Sequence, residues 1–163
     1  MSGSSFNPGE ALAYFLTWTT YGTRLPGDER GWNRKKESAV QSPSPLLVEA
    51  AQARMKEAEF RLSPEQRRTV ETTIRDHCSI RNWTLHAVNA RSNHVHVVVT
   101  AAKYRPETVR DQFKAWCTRK LKSLAGARSR FWTEGGSCRW MNRQDELESA
   151  LIYVVDAQDR PSD

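Results

Sequence analysis

The run Asn93-His94-Val95-His96-Val97-Val98-Val99 sets two imidazoles two residues apart in a stretch rich in β-branched residues. Such a stretch favours a strand, and in a strand the side chains of i and i+2 leave the same face. His94 and His96 are therefore expected side by side, with Val95 and Val97 turned to the other face. Two neutral imidazoles held by a rigid strand can bind one divalent cation. The plainer alternative for any such triplet is an ordinary strand with one exposed and one packed histidine. A valine-rich strand, however, has little reason to turn two polar rings to one face unless something there partners them. The remaining two histidines, His77 and His86, are expected to be structural.

A tyrosine near the end of the chain complements this pair. Leu147, Ala150, Leu151, Val154 and Val155 fall on one apolar stripe at helical spacing. Tyr153 lies about 140° from the centre of that stripe by the helical repeat, on a side shared with Ser149 and Asp156, so its hydroxyl should stay clear of the core. A half-exposed tyrosine without a special role is the alternative. A phenol with a pKa near ~10 is a poor nucleophile at neutral pH, but a nearby cation can polarise a phosphate and offset the developing charge. Two histidines and one tyrosine are thus a sufficient minimal set for opening a phosphodiester. Tyr21 and Tyr104 are rival nucleophiles, and nothing in the sequence places Tyr21 over the histidines.

The elements that must position these groups follow from periodicity and punctuation. Residues 1–10 read as a loose tail rich in Ser, Gly and Pro. Ala11 to Thr20 reads as a first strand, and Tyr21 to Pro45, with Gly22, Pro26, Gly27, Gly31, Pro43 and Pro45, as a long loop. Leu46 to Phe60 is predicted to be a short helix, so that residues 22–62 form an insertion. Ser63-Pro64-Glu65-Gln66 is a strong helix start, with Ser63 as cap and Gln66 able to close a capping box. That helix runs to about Ile80, with Val70, Ile74 and His77/Cys78 on its apolar side. Trp83 to Ala90 and His94 to Ala101 form a predicted hairpin around Arg91-Ser92-Asn93. Pro106 opens a helix to about Ala125, with Val109, Phe113, Trp116, Cys117, Leu121 and Leu124 at helical spacing. Phe131 to Met141 reads as a loop entering a short strand, and a last helix spans about Gln144 to Ala157. The order predicts a single α+β domain over residues 11–160, a ferredoxin-like or RRM-like sandwich whose helices cover one face of an antiparallel sheet.

Composition narrows the partners. Among 163 residues there are 25 Lys and Arg against 19 Asp and Glu, a net charge of +6, which favours phosphate-rich partners. The charge is uneven: Lys114, Arg119, Lys120, Lys122, Arg128, Arg130 and Arg139 crowd the second half and are candidate DNA contacts, and Arg34, Lys35 and Lys36 form a second group. Trp32, Trp132 and Trp140 could stack on unpaired bases. The three cysteines are widely spaced, with no CxxC pair, which argues against a disulfide framework or a cysteine zinc site. No apolar run is long enough for a transmembrane helix, and Met1 to Glu10 has no signal pattern, so a cytoplasmic protein with no membrane partner is expected.

The ordered set of a His-hydrophobic-His strand and, some sixty residues later, a tyrosine on a terminal helix resembles HUH endonucleases. It is most similar to the single-tyrosine transposases of small insertion sequences, including the REP-associated tyrosine transposases. The segments YFLTWTTYGTRLPGDERGW and FWTEGGSCRW look like parts of such proteins too, and the resemblance covers roughly residues 11 to 160. It implies a metal-dependent transesterification in which Tyr153 attacks a single-stranded DNA phosphate, forms a 5′-phosphotyrosine link and releases a 3′-hydroxyl. His94 and His96 would hold Mg²⁺ or Mn²⁺, a DNA hairpin beside the cut would be recognised, and a homodimer is possible. The family usually places a polar metal ligand four residues after the tyrosine; here that position is Ala157, flanked by Asp156 and Gln158. Asp156 stands about 60° from Tyr153 on a regular helix and Gln158 about 140°, so geometry favours Asp156 and residue type Gln158. Two other readings stay open: a non-catalytic nucleic-acid-binding protein of RRM-like fold, with bases stacked on sheet aromatics, and a small metal hydrolase that uses water as nucleophile.

Overall fold

The computed structural model describes residues 11–23, 32–33, 40–41, 45–46, 49, 57–126 and 128–158; for 32–33, 40–41, 125, 157 and 158 it describes the backbone only. The first strand, β1, is Ala13–Thr19. Two short strands, β2 (Trp32–Asn33) and β3 (Val40–Gln41), pair antiparallel as a separate ladder inside the segment expected to be a plain loop. Then follow α1 (Pro64–Arg81), β4 (Thr84–Ala90), β5 (His94–Thr100), α2 (Pro106–Ala125), β6 (Ser137–Met141) and α3 (Gln144–Gln158). The tail 1–10, the basic group 34–36 and most of the expected helix over Leu46–Phe60 lie outside the described residues. That helix does not reach its expected end, because residues 58–62 are not helical and Phe60 and Leu62 are buried in the core.

Local signals explain the boundaries. Ser63 caps α1 through a closed box: its backbone N–H donates to Gln66 Oε1 at 2.8 Å, and Gln66 N–H donates to Ser63 Oγ at 3.2 Å. Asn82 ends the helix in the left-handed region at φ 59°, a conformation that Asn tolerates better than most side chains. The hairpin turns through Arg91–Asn93, closed by Arg91 N–H to the His94 carbonyl at 2.8 Å. At the start of α3, Glu146 Oε1 accepts the backbone N–H groups of Asn142 and Arg143, both at 3.1 Å, which satisfies donors that a helix start leaves open.

The main sheet is four-stranded and antiparallel, in the order β4-β5-β1-β6, the arrangement of a ferredoxin-like α+β fold. α1 and α2 pack on one face, where Leu16, Trp18, Val95, Val97 and Val99 meet Val70, Ile74, Phe113 and Leu121. The expectation that helices cover one face holds for these two. α3 lies on the other face, where Leu147, Ala150 and Val154 bury against Ala13, Phe15, Val98 and Met141. The physical reason is the period of β5: Val98 leaves the strand on the same side as His94 and His96, and that second apolar strip on the sheet needs a cover. Of the expected stripe on α3, Leu151 is only partly buried and Val155 faces outward. On α2, Trp116 and Leu124 likewise reach the surface.

Candidate functional site

Register builds the site. Across the sheet, His96 of β5 pairs with Thr17 of β1, and Thr17 with Ser137 of β6. In the next row Val98 pairs with Phe15, and Phe15 with Arg139. α3 covers the second row and leaves the histidine row open. The result is a pocket of about 830 Å³ lined by His94, His96, Thr17, Thr19, Ser137, Arg139, Ser149 and Tyr153, among others. β6 can lie against β1 here because Gly136 has no side chain: a Cβ at that position would sit 2.6 Å from the Thr17 carbonyl oxygen.

The two imidazoles face each other edge to face, with ring centroids 4.6 Å apart. His94 Nδ1 lies 2.7 Å from Asn93 Oδ1. That oxygen can only accept, so Nδ1 donates, and in the neutral ring Nε2 carries the lone pair. His96 Nδ1 lies 3.0 Å from Thr17 Oγ1, so if its ring donates in the same way, its Nε2 also carries the lone pair and could ligate. His96 is buried, and burial, then the positive charge of a protonated His94 and of Arg91, pushes its pKa down to about 4. It is neutral at ordinary pH, the state that a metal ligand needs. Two imidazoles could hold one divalent cation with its other positions left to water and phosphate oxygens; nitrogen donors suit transition-metal cations better than Mg²⁺, which prefers oxygen ligands. Among the described residues, no cluster of three His, Cys, Asp or Glu side chains completes such a shell.

Tyr153 meets this pair. Its ring centroid is 5.5 Å from that of His96 and 6.0 Å from that of Phe15. The residue is 51% exposed, so the phenol borders the open cleft. Tyr153, His94, His96 and Arg139 are thus brought together. Asp156 is exposed and does not line the pocket, and the side chain of Gln158 lies outside the described residues.

The other basic candidates are placed elsewhere. Lys114 is turned inward: its ammonium donates to the carbonyls of Thr133 at 2.9 Å and Gly135 at 2.8 Å, and burial lowers its pKa. The Arg128 guanidinium donates to the carbonyls of Ala58 and Arg130 and stacks over Phe60 at 4.9 Å. Arg119, Lys120 and Lys122 are exposed on α2, across the sheet from the histidines, and Arg130 is an exposed loop residue. Trp132 packs edge-on against Trp18 with its indole N–H on Thr118 Oγ1 at 3.0 Å, and Trp140, half exposed, packs against Tyr14. His77 and His86 are structural as expected, bonded at 2.8 Å to Gln112 Oε1 and Thr100 Oγ1 respectively. Cys78 and Cys117 are buried thiols.

Sequence reasoning missed Phe15, Thr17, Asn93 and Ser137 as parts of the site. Asn93 had a local signal, since it directly precedes His94. The other three reach the site through strand pairings that no local pattern specifies.

No protein-family model matches the chain, and no curated protein sequence does. Solved structures do. A REP-associated tyrosine transposase bound to a REP hairpin matches over 94% of this chain and 70% of its own, at 13% identity and a TM-score of 0.51. A protein of Deinococcus radiodurans R1 provisionally designated a transposase matches over 99% of both chains, at 13% identity and a TM-score of 0.49. The chain has a tyrosine-transposase-like fold.

Proposed function

We propose that this chain is a metal-dependent tyrosine transposase that cleaves and rejoins single-stranded DNA beside a hairpin. The observation that carries the reading is the meeting of three side chains at one cleft: the His94–His96 pair on β5 and the phenol of Tyr153, whose ring lies 5.5 Å from that of His96. In this reading Tyr153 Oη attacks the phosphorus, the bond to the 3′-oxygen breaks, and the DNA 5′ end stays on the tyrosine. Attack by a 3′-hydroxyl on the phosphotyrosine reverses the step and rejoins the strand. His94 and His96 would hold Mg²⁺ or Mn²⁺, which when bound polarises the phosphate and offsets its charge. Gln158 remains the candidate for a further ligand by residue type, and Asp156 by position on the helix. Arg119, Lys120, Lys122 and Arg130 are left as candidate contacts to the DNA backbone.

The likeness to a hairpin-bound transposase supports the substrate class. Because Tyr153 and His96 meet within one chain, the reading does not require a second subunit, although a homodimer is compatible with it. The RRM-like alternative needs exposed aromatics on the open sheet face. Among the described residues, the aromatic strand residue there, Phe15, is 8% exposed and packs under α3. Among the described residues, no helix is long and apolar enough to cross a membrane.

The test is a labelled hairpin oligonucleotide with single-stranded flanks, incubated with the protein and Mn²⁺ and run under denaturing conditions. The expected result is a covalent protein–DNA band that Tyr153→Phe abolishes and that His94→Ala or His96→Ala also removes. Binding without any adduct from the wild-type protein would favour the non-catalytic alternative. Cleavage that survives in Tyr153→Phe would point to water as the nucleophile.

A further inference from the structure

We propose that Arg139 is a catalytic residue that grips the scissile phosphate, donating guanidinium hydrogen bonds to a non-bridging oxygen while Tyr153 attacks. This rests on the reading of the site as a tyrosine strand transferase and adds a component that the histidine pair and the tyrosine do not provide.

Arg139 stands on β6 directly across from Phe15 of β1 and lines the same pocket as the histidines and Tyr153. Its guanidinium carbon lies 6.0 Å from the Phe15 ring centroid, and the Tyr153 ring centroid also lies 6.0 Å from that ring. Cation and nucleophile therefore flank one aromatic side chain, which also meets His96 with ring centroids 5.6 Å apart. Phe15 is the common support of all three.

The pocket holds a second arginine, and the contrast between the two decides the assignment. Arg143 is bound to Asp145 through two bonds, Nε to Oδ1 at 3.0 Å and Nη2 to Oδ2 at 2.7 Å, so its fork is already occupied by a carboxylate. Nearby, Arg110 is bound to Asp111 and to the Gly136 carbonyl. Among the described residues, the Arg139 side chain has neither an ion pair nor a hydrogen bond; its contact is the Phe15 ring. A guanidinium lying against an aromatic ring keeps its N–H edge available, and that planar fork matches phosphate geometry. Arg139 is exposed at the edge of the cleft, where an unpaired cation attracts an anion that enters.

In the step itself the Tyr153 hydroxyl loses its proton to solvent and its oxygen forms the new P–O bond. The P–O3′ bond breaks, and its electron pair leaves with the 3′-oxygen, which takes a proton from water. Charge on the non-bridging oxygens is concentrated at the midpoint of this exchange. Donors aimed at those oxygens stabilise that point more than the starting phosphate.

The experiment compares wild type with Arg139→Gln and Arg139→Lys in single-turnover cleavage. The probe is a hairpin oligonucleotide whose cut position has first been read from a pool with randomised flanks. The scissile linkage is synthesised either as phosphate or as uncharged methylphosphonate. On the phosphate, R139Q should cleave about 100- to 1,000-fold more slowly, with R139K intermediate. On the methylphosphonate, wild type and R139Q should differ by less than about fivefold, because the negative charge that the guanidinium offsets is gone. Equal losses on both substrates, or an unchanged rate on the phosphate, would overturn the assignment while leaving the tyrosine reading intact. A wild-type protein that forms no adduct, or an adduct that persists in Tyr153→Phe, would overturn both.

Discussion

Removing the Thr17 hydroxyl should weaken metal binding without touching a proposed ligand. Thr17 Oγ1 lies 3.0 Å from His96 Nδ1, and His96 is 6% exposed, so water cannot readily replace that partner. With the threonine present, a proton on Nδ1 is satisfied and Nε2 keeps its lone pair for the cation. In Thr17→Val, a side chain of nearly the same shape, a proton on Nδ1 becomes an unpartnered buried donor, which costs about 1–3 kcal/mol. The ring can escape that cost by moving its proton to Nε2, which removes the ligand. Binding then requires the strained tautomer, and the cost reappears as a loss of affinity of roughly 10- to 100-fold, the usual effect of removing a group that orients a metal-bound histidine. Mn²⁺ titration followed by electron paramagnetic resonance measures this without DNA or turnover, and nitrogen chemical shifts of the His96 ring report its tautomer. Thr17→Ser, which restores an oxygen, should recover most of the affinity. Mn²⁺ affinity within twofold of wild type in Thr17→Val, with an unchanged tautomer, would refute the reasoning.

Two more expectations follow from the same geometry. Lys114→Met should destabilise the fold by roughly 1–3 kcal/mol, because the Thr133 and Gly135 carbonyls lose a charged donor; denaturant titration measures it, and hairpin-DNA affinity under native conditions should stay near wild type, whereas a selective loss of DNA affinity would restore Lys114 as a DNA contact. In chelator, stability should fall as pH drops from about 6.5 to about 4, since the folded pKa of His96 lies below its ordinary 6.5 and the unfolded chain takes up the proton first. The His96 part of the loss should approach about 3 kcal/mol once pH is below both values, and it should be missing in His96→Gln, where the contribution of His86, whose pKa burial also lowers, remains; urea midpoints at pH 7 and pH 4.5 for both proteins decide it, and equal losses would acquit His96.

What the sequence disclosed and what it withheld divide along a physical line. The capping box at Ser63, the hairpin around Arg91–Asn93 and the shared face of His94 and His96 are local: each depends on a few consecutive residues and a known backbone period. Contacts across the sheet are different. Thr17 reads as one of several polar residues in an aromatic strand, and only the pairing of β1 with β5 puts it on His96. Lysine counts tell of charge and nothing of direction, so Lys114, half-buried on two carbonyls, looked the same in sequence as the exposed Lys120. An amphipathic stripe on α3 shows that one side of the helix must be buried, but two faces of a sheet can receive it.

That last ambiguity decides whether the chain has a site at all. Had α3 joined α1 and α2, Tyr153 would stand on the face of Val95 and Val97, with the sheet between it and the imidazoles. The apolar Phe15, Val98 and Met141 draw α3 to the other face, and the helical phase does the rest. Val154 points into the sheet, completely buried, so its neighbour Tyr153 is rotated by about 100° and emerges at the margin of the helix, over His96. β1 works on both sides: Leu16 and Trp18 bury beneath α1 and α2, while Phe15 and Thr17 support the tyrosine and orient the histidine. A one-residue slip of β1 against β5 would exchange those roles, turning Leu16 and Trp18 to the cleft and Thr17 to the core. The packing that fixes the register of the core therefore also fixes the geometry of the cleft. A substitution in that strand should change stability and cleavage together, whereas one at Arg139, on the open edge, should change cleavage alone.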